Sequence, residues 1–351
     1  MHMADALISP AVGGTLWAVS GGLITFCARK VKQTLRENLV PMMGVLGAFI
    51  FASQMINFTI PGTGSSGHIG GGLILAILLG PHAAFLVIAS VLTVQAFFFA
   101  DGGLLALGCN MFNMGFFPAF VAYPLIYRII ARGQPGSLRV GVATIAASVV
   151  GLQLGAFGVV LQTLVSGISE LPFHTFVLMM LPIHLAIGAV EGLATVAVVS
   201  FIARARPEAL PTSPLPGTAT GIRPILAGLA IAAMVIGGAA SWFASTHPDG
   251  LEWSIARVTG AESVEAPESG VHQRLAGLQE QTAFLPDYGF KQAEPGIATT
   301  IPAGPEPDPW PSINAGTSVS GIVGGVLTLI LATLAGMALR TRTTSVVPHN
   351  L

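Results

Sequence analysis

The residues with the most distinctive chemistry stand at the start of the chain. Met1 is followed by His2, and a histidine in second position has three nitrogens within chelating reach. The amine of Met1, the amide nitrogen of His2 and the ring Nδ1 of His2 can close fused five- and six-membered rings on one metal ion. A fourth nitrogen is available from His68, the one imidazole in the stretch Ser53 to Gly72. There the run Pro61-Gly62-Thr63-Gly64-Ser65-Ser66-Gly67-His68 is too rich in glycine for ordinary helix. Four nitrogens in a plane suit Ni(II) or Cu(II) best and Co(II) less well. Spacing alone favours a plainer reading, in which His2 is a frayed terminal residue and His68 a loop histidine. The chelate needs a free amine on Met1. The N-terminal segment has no basic n-region, and Asp5 and Pro10 interrupt its apolar run, so it does not read as a signal peptide.

A second group of residues draws notice because polar side chains within apolar segments are costly. Gln54 and Asn57 lead into the glycine-rich stretch, Gln95 lies inside the next long apolar run, and Asp101-Gly102-Gly103 ends that run. Asn110 and Asn113 follow within Gly108-Cys109-Asn110-Met111-Phe112-Asn113-Met114-Gly115. Helix-to-helix hydrogen bonding accounts for several of these. Side-chain amides also suit the orientation of a metal-binding imidazole. His184 and Glu191 lie on one side of a further apolar run, in His184-x-x-x-Gly188-x-x-Glu191-Gly192. Their spacing allows a structural pair, a relay or a second metal site, with the structural role first.

The elements that must position these residues are membrane helices. Of 351 residues 52% are hydrophobic and 9% charged, against about 25% charged in a soluble domain. The expected fold is an all-α polytopic bundle of about nine crossings, seven followed by two. The spans read as 11–28, 39–58, 83–100, 104–130, 140–165, 173–203, 225–243 and 319–339, with 69–80 as a short or half helix closed by Gly80-Pro81. With nine crossings one face receives Arg29, Lys30, Lys32, Arg36, Arg128, Arg132, Arg139, Arg204, Arg206, Arg223, Arg340 and Arg342. The other receives only Arg257, Arg274 and Lys291. That asymmetry makes the first face cytoplasmic. It places Met1, His68, Asp101 and the polar loop 244–318 outside and the C-terminus in the cytoplasm, with the chain expected in the cytoplasmic membrane of a prokaryote. The domains are then 1–205, a proline-rich linker 206–222, and a two-span module 223–342. The acids of the polar loop, among them Asp249, Glu252 and Asp287, read as a solvated surface. Cys27 and Cys109 lie in or beside apolar segments, which argues against a disulfide framework.

Several classes are excluded. The net charge of −1 leaves no nucleic-acid footprint. The only lysines are Lys30, Lys32 and Lys291, none within a Gly-x-x-x-x-Gly-Lys phosphate loop. If the chain takes part in pumping, ATP is hydrolysed by another chain, and no bound cofactor is expected. Motifs of metallohydrolases and serine hydrolases are absent, so the reading is a transporter subunit and not an enzyme.

Five motifs occur in order: Met1-His2 with Ser9-Pro10; Gln54-Met55-x-Asn57-Phe58 leading to Gly67-His68; Phe99-Ala100-Asp101-Gly102-Gly103; Asn110-x-x-Asn113-Met114-Gly115; and His184-x-x-x-Gly188-x-x-Glu191-Gly192. Together they resemble the nickel/cobalt-specific S component of energy-coupling factor transporters, the CbiM/NikM family, over residues 1–205. Pro248-Asp249-Gly250-Leu251-Glu252, Leu285-Pro286-Asp287-Tyr288 and Ala315-Gly316-Thr317-Ser318 are similar to the accessory PDGLE, or NikN-type, module. The resemblance implies that Met1, His2 and His68 hold the transported ion, Ni(II) or Co(II). It also implies a transmembrane coupling subunit and two ATPase subunits as partners, with the S component reorienting in the lipid. The chain departs from the family at Met3-Ala4-Asp5. Met3 is expected to pack, with axial ligation the alternative, and Asp5 to hold the N-terminal segment in its slot. An autonomous divalent-cation permease is the alternative function, and a binding subunit that never transports is a third.

Overall fold

The computed structural model describes residues 2–34, 38–131, 138–205, 221–261, 263–267, 269–291 and 310–340. Met1, the linker stretch 206–220, and Arg36, Arg132, Arg206 and Arg342 lie outside the described residues. The chain runs through α1 (Pro10–Thr34), α2 (Leu39–Gln54), the strands β1 (Phe58–Ile60) and β2 (Ser65–Gly67), α3 (Gly72–Leu79), α4 (Pro81–Phe99) and α5 (Leu107–Ile130). It continues with α6 (Leu138–Ser166), α7 (Phe173–Ala205), α8 (Arg223–Gly238), α9 (Gly250–Thr259), α10 (Gly270–Thr282) and α11 (Ala315–Ala338).

Among the described residues, α1, α4, α5, α6, α7 and α11 are long and apolar enough to cross a membrane. α2 and α8 are apolar but have 16 residues each, about 24 Å of helix. The eight residues of α3 make about 12 Å, too short to cross a ~30 Å hydrocarbon core alone. The nine crossings expected from the sequence thus become six full-length helices, two shorter ones and a half-helix. Gly71 and Gly80 punctuate the half-helix, at φ 77° and 81°, and Pro81 starts α4 at the position where a missing N–H costs nothing. α5 winds more widely, with π character, through Phe112–Tyr127, where Pro118 and Pro124 lie inside it.

The helical membrane bundle expected from the sequence carries one small non-helical piece. Phe58–Ile60 pairs antiparallel with Ser65–Gly67, in the register Phe58 opposite Gly67 and Ile60 opposite Ser65. Gly62 and Gly64, both at positive φ, turn the chain between the strands. This small hairpin delivers His68.

Every residue of α3 is buried. It lies against α4 and α5 in a core that includes Phe51, Phe85 and Phe99, each fully enclosed. α8 and α11 pack on α2. Small residues allow the close approach, as is usual between helices in lipid. A Cβ on Gly324 would collide with the ring of Phe51, and one on Gly321 with the main chain of Gly237. Large apolar side chains exposed along α7 and α11, such as Leu178, Leu193, Phe201, Ile322 and Leu334, suit contact with lipid.

Because the Gly321 contact is backbone to backbone, no rotamer change relieves it. Gly321→Val is expected to separate α8 from α11 and to cost about 1–3 kcal/mol. A lower midpoint of thermal unfolding in detergent would register this. Gly22→Ala, built into open space on α1, is expected to leave the midpoint unchanged or slightly raised.

Candidate metal centre

The chain's first described residues do not fray. Residues 2–4 run extended into the bundle, and Met3 is fully buried. Its main chain is gripped on both sides by Asn110: the Met3 N–H donates to Asn110 Oδ1 at 2.8 Å, and Asn110 Nδ2 donates to the Met3 carbonyl at 3.2 Å. The Gly103 N–H reaches the same carbonyl at 2.9 Å. Asp5 Oδ1 accepts from Ala106 N–H at 2.9 Å, the slot-holding part expected of it. Met3 Sδ accepts from Asn113 Nδ2 at 3.6 Å, so Met3 packs. Asn113 also exchanges two hydrogen bonds with Gln162, at 2.8 and 2.9 Å. The turn that receives this segment must be glycine. Gly102 sits at φ 83°, and a Cβ there would come within 2.9 Å of Asn110 Nδ2 and 3.3 Å of His2 Cβ.

His68 is brought to the same place from the opposite direction. Glu191 of α7 accepts the N–H groups of Gly70 and Gly71 at 2.8 and 3.1 Å. Gln54 Nε2 donates to the Gly70 carbonyl at 2.8 Å, and Gln95 Nε2 donates to Gln54 Oε1 at 2.8 Å. The loop after His68 is therefore tied at both donors and acceptors. His184 and Glu191 do not form the pair their spacing allowed. Two helical turns separate them, and His184 Nδ1 bonds instead to the Met180 carbonyl at 2.8 Å, leaving Nε2 buried without a partner.

The two imidazoles stack, with ring centroids 5.2 Å apart and planes 13° apart. His68 Nδ1 lies 3.1 Å from the Ile69 carbonyl. A carbonyl only accepts, so Nδ1 carries the hydrogen and Nε2 the lone pair. Burial, with positive charge beside it, lowers His68 to about 3, which keeps it neutral. His2 Nδ1 lies 3.1 Å from Asp101 Oδ1, and His2 Nε2 is buried without a hydrogen-bond partner. Burial alone would raise Asp101. The charge and hydrogen bond of His2 and the hydroxyl of Tyr288 outweigh it and hold the carboxyl well below the usual carboxylate range. Tyr288 is raised well above its ordinary value, by burial first and then by the Asp101 charge.

The accessory segment roofs this centre. The N–H of Ser66 donates to the Pro248 carbonyl at 2.8 Å and its hydroxyl to the His247 carbonyl at 2.7 Å. Ser245 N–H donates to the Asn57 carbonyl at 2.7 Å, and Trp253 Nε1 to the Thr63 carbonyl at 3.0 Å. Gln279 donates to the carbonyls of Ala96 and Gly102, and His272 Nε2 meets the Ile8 carbonyl at 2.9 Å. A cavity of about 760 Å³ opens beneath, lined by His2, Asn57, His68, Asp101, Asp249, Glu252 and Asp287 among others. Glu252 and Asp287 are exposed, as the sequence suggested, and they line the open mouth of this cavity, while Asp249 is half-buried in its wall. Asp249 also caps α9, accepting from Leu251 and Glu252 N–H, while Glu252 accepts from Asp249 N–H. The spacing Asp249-x-x-Glu252 ahead of an apolar helix was the readable signal for that cap. Gly250 lets the cap press on α7, since a Cβ there would meet Ile183 at 2.7 Å and His184 at 3.1 Å.

No group of three or more His, Cys, Asp or Glu side chains among the described residues is arranged to hold a metal. Two stacked imidazoles beside the buried Met3 segment are the donors among the described residues.

Residues 2–209 match the family described as the cobalt uptake substrate-specific transmembrane region. The chain belongs to that family. Residues 223–341 match the PDGLE domain. The fused NikMN chain of Archaeoglobus fulgidus is 33% identical over 341 residues, covering 94% of this chain and 96% of its own. The fused nickel transport protein NikMN of Rhodobacter capsulatus is 32% identical over 314 residues, 82% of this chain and 88% of its own. The cobalt transport protein CbiM of Geobacter sulfurreducens is 32% identical over 60% of this chain and 61% of its own. A crystal structure of a truncated transition metal transporter superposes with a TM-score of 0.52 at 29% identity, covering 58% of this chain and 99% of that one. These relatives are named for transport, not for catalysis.

Glu191 is the loop's anchor, so Glu191→Gln replaces one of its two accepting oxygens with a donor facing an N–H. Metal affinity in this variant is expected to fall about 10-fold or more. Nickel titration of the purified full chain reads this out, and parent-like affinity would show that the anchor is dispensable.

Proposed function

We propose that the chain is the substrate-binding component of an ATP-driven importer of the energy-coupling factor type, with Ni(II) as cargo and Co(II) as the alternative. The observation that carries this reading is the pair His2 and His68, stacked at 5.2 Å beside a Met3 main chain that Asn110 holds. The ion would be held by the Met1 amine, the His2 amide nitrogen, His2 Nδ1 and His68 Nε2, which requires a mature chain that starts at Met1. Such a nitrogen set suits Ni(II) over the oxygen-seeking ions.

Loading would change the contacts of His2. In the structure Nδ1 lies against Asp101 and Nε2 has no hydrogen-bond partner. A half-turn of the ring about Cβ–Cγ exchanges Nδ1 with Cδ2. It would free Nδ1 for the ion and carry the Nε2 hydrogen toward Asp101, the arrangement ligating histidines commonly adopt with a carboxylate. Gln54, Gln95, Asn57, Asn110, Asn113 and Glu191 serve in this reading as supports of the ligand-bearing segments, and His184 supports the cap of α9.

A transmembrane coupling subunit and two ATPase subunits complete the importer, because the chain has no phosphate-binding loop. Residues 1–205 form the binding domain, 206–222 the linker and 223–342 the accessory module. The N-terminus would face outside the cytoplasmic membrane and the C-terminus the cytoplasm, following the excess of Arg and Lys on one face.

Uptake of radioactive nickel by cells tests the reading. Uptake is expected only when coupling and ATPase subunits are co-expressed and the chain carries its native terminus. One residue added before Met1 is expected to reduce uptake to background. Equal uptake without the ATPases would favour a permease driven by membrane potential, and uptake unchanged by the extension would remove the terminal chelate.

A further inference from the structure

A side chain of the accessory segment reaches the metal centre through one intermediary. Tyr288 follows Asp287, and the two adopt left-handed backbone conformations in succession, at φ 58° and 49°. Non-glycine residues rarely do this singly, and such a run persists only where surrounding contacts impose it. Here the contacts are visible. The Tyr288 ring stacks on Phe99 at the end of α4, with centroids 5.1 Å apart and planes at 20°, and meets Phe51 of α2 edge-on at 6.2 Å. Phe99 and Phe51 are fully enclosed, so the ring has a rigid bed. The left-handed pair turns the ring onto that bed and sends the hydroxyl to Asp101 Oδ2. The other oxygen of the same carboxylate, Oδ1, lies 3.1 Å from His2 Nδ1.

We infer that Tyr288 is a positioning residue for the cargo ion: by holding Asp101, it keeps a carboxylate oxygen beside His2, where it accepts the Nε2 hydrogen once the ring has turned Nδ1 toward the ion. This rests on the reading of His2 as a ligand given above. Asp101 stands at the end of a helix, beside Ala100 at φ 54° and Gly102 at φ 83°, and its carboxylate has a torsion to spare. A donor on Oδ2 removes that freedom and leaves Oδ1 facing His2. The accessory segment thereby contributes to the ion's retention without supplying a ligand, which gives a physical reason for carrying both modules on one chain. The alternative role for Tyr288 is a brace that docks the loop through its ring alone.

Tyr288→Phe separates the two, since it keeps the ring on Phe99 and removes only the hydroxyl. The full chain with its native terminus is loaded with Ni(II) in nanodiscs. Release into excess chelator and the d–d absorption band of the bound ion are then recorded. The proposal expects release about 10-fold faster and a displaced band in Tyr288→Phe. Asp101→Asn should move both in the same direction, and the double variant should go little beyond the larger single effect. Trp242→Phe, which removes a hydrogen bond to Ser318 inside the accessory module, should leave the band in place. Parent-like release and band in Tyr288→Phe would overturn the proposal. So would faster release with an unmoved band matched by Trp242→Phe, which is the signature of a brace. If Tyr288→Phe does not fold, parent-like behaviour of Asp101→Asn overturns it instead. A parent chain that binds no Ni(II) would bring down the functional reading itself, and is told apart by the absence of any band.

Discussion

A binding site made from the first residues of a chain depends on holding that terminus still. Chain ends are ordinarily the most mobile part of a fold, and fixing each residue costs about 1–2 kcal/mol of backbone entropy. The grip of Asn110 on both sides of the Met3 main chain offsets that cost here. It works like one rung of a β-ladder supplied by a side chain. The rung needs the helix carrying Asn110 to start where it does, and it needs Gly102 and Gly103 to let the segment in. Gly103 has Asp5 where a Cβ would stand, so the slot and the segment are mutually shaped.

The second half of the centre obeys the constraint that backbone groups away from water must be paired inside the protein. The stretch from Asn57 to Gly71 has little secondary structure of its own, and its donors and acceptors are taken up by other elements. Glu191 takes two N–H groups, Gln54 a carbonyl, and the accessory segment several more. A carboxylate inside a long apolar helix is costly, and two backbone donors from a tight glycine turn offset that cost. The same turn is what places His68 beside His2. The accessory segment is therefore part of the wall of the site.

Much of this was legible in the residues. Composition and spacing announced a helical membrane protein, and Gly80-Pro81 marked the end of the half-helix. The order of five motifs pointed to the family. The residues singled out for cost in an apolar setting, Gln54, Gln95, Asn110, Asn113 and Glu191, all turn out to be hydrogen-bonded to the segments carrying His2 and His68 or to one another. What could not be read was pairing across distance. Asp101 and Tyr288 are far apart in the chain, and nothing local in Pro286-Asp287-Tyr288 foretells a left-handed hook. Glu252 and Asp287 of the polar loop are exposed as their acidity suggested, but that they line the mouth of one cavity with His2 and His68 depends on packing across the two modules, which no local pattern shows. The partner of Glu191 was missed because helical periodicity points to His184, while the actual donors come from a loop with no periodicity at all. The hairpin was missed because its strands are three residues long, below the length at which alternation can be recognised.

The most direct test of the account is the coordination shell of the loaded ion. X-ray absorption at the nickel edge, on the full chain with its native terminus, reports ligand number, ligand type and geometry together. The account predicts a four-coordinate, planar, all-nitrogen shell with outer scattering from two imidazoles. A six-coordinate shell dominated by oxygen would contradict it, and would move the ion to the carboxylates of the cavity.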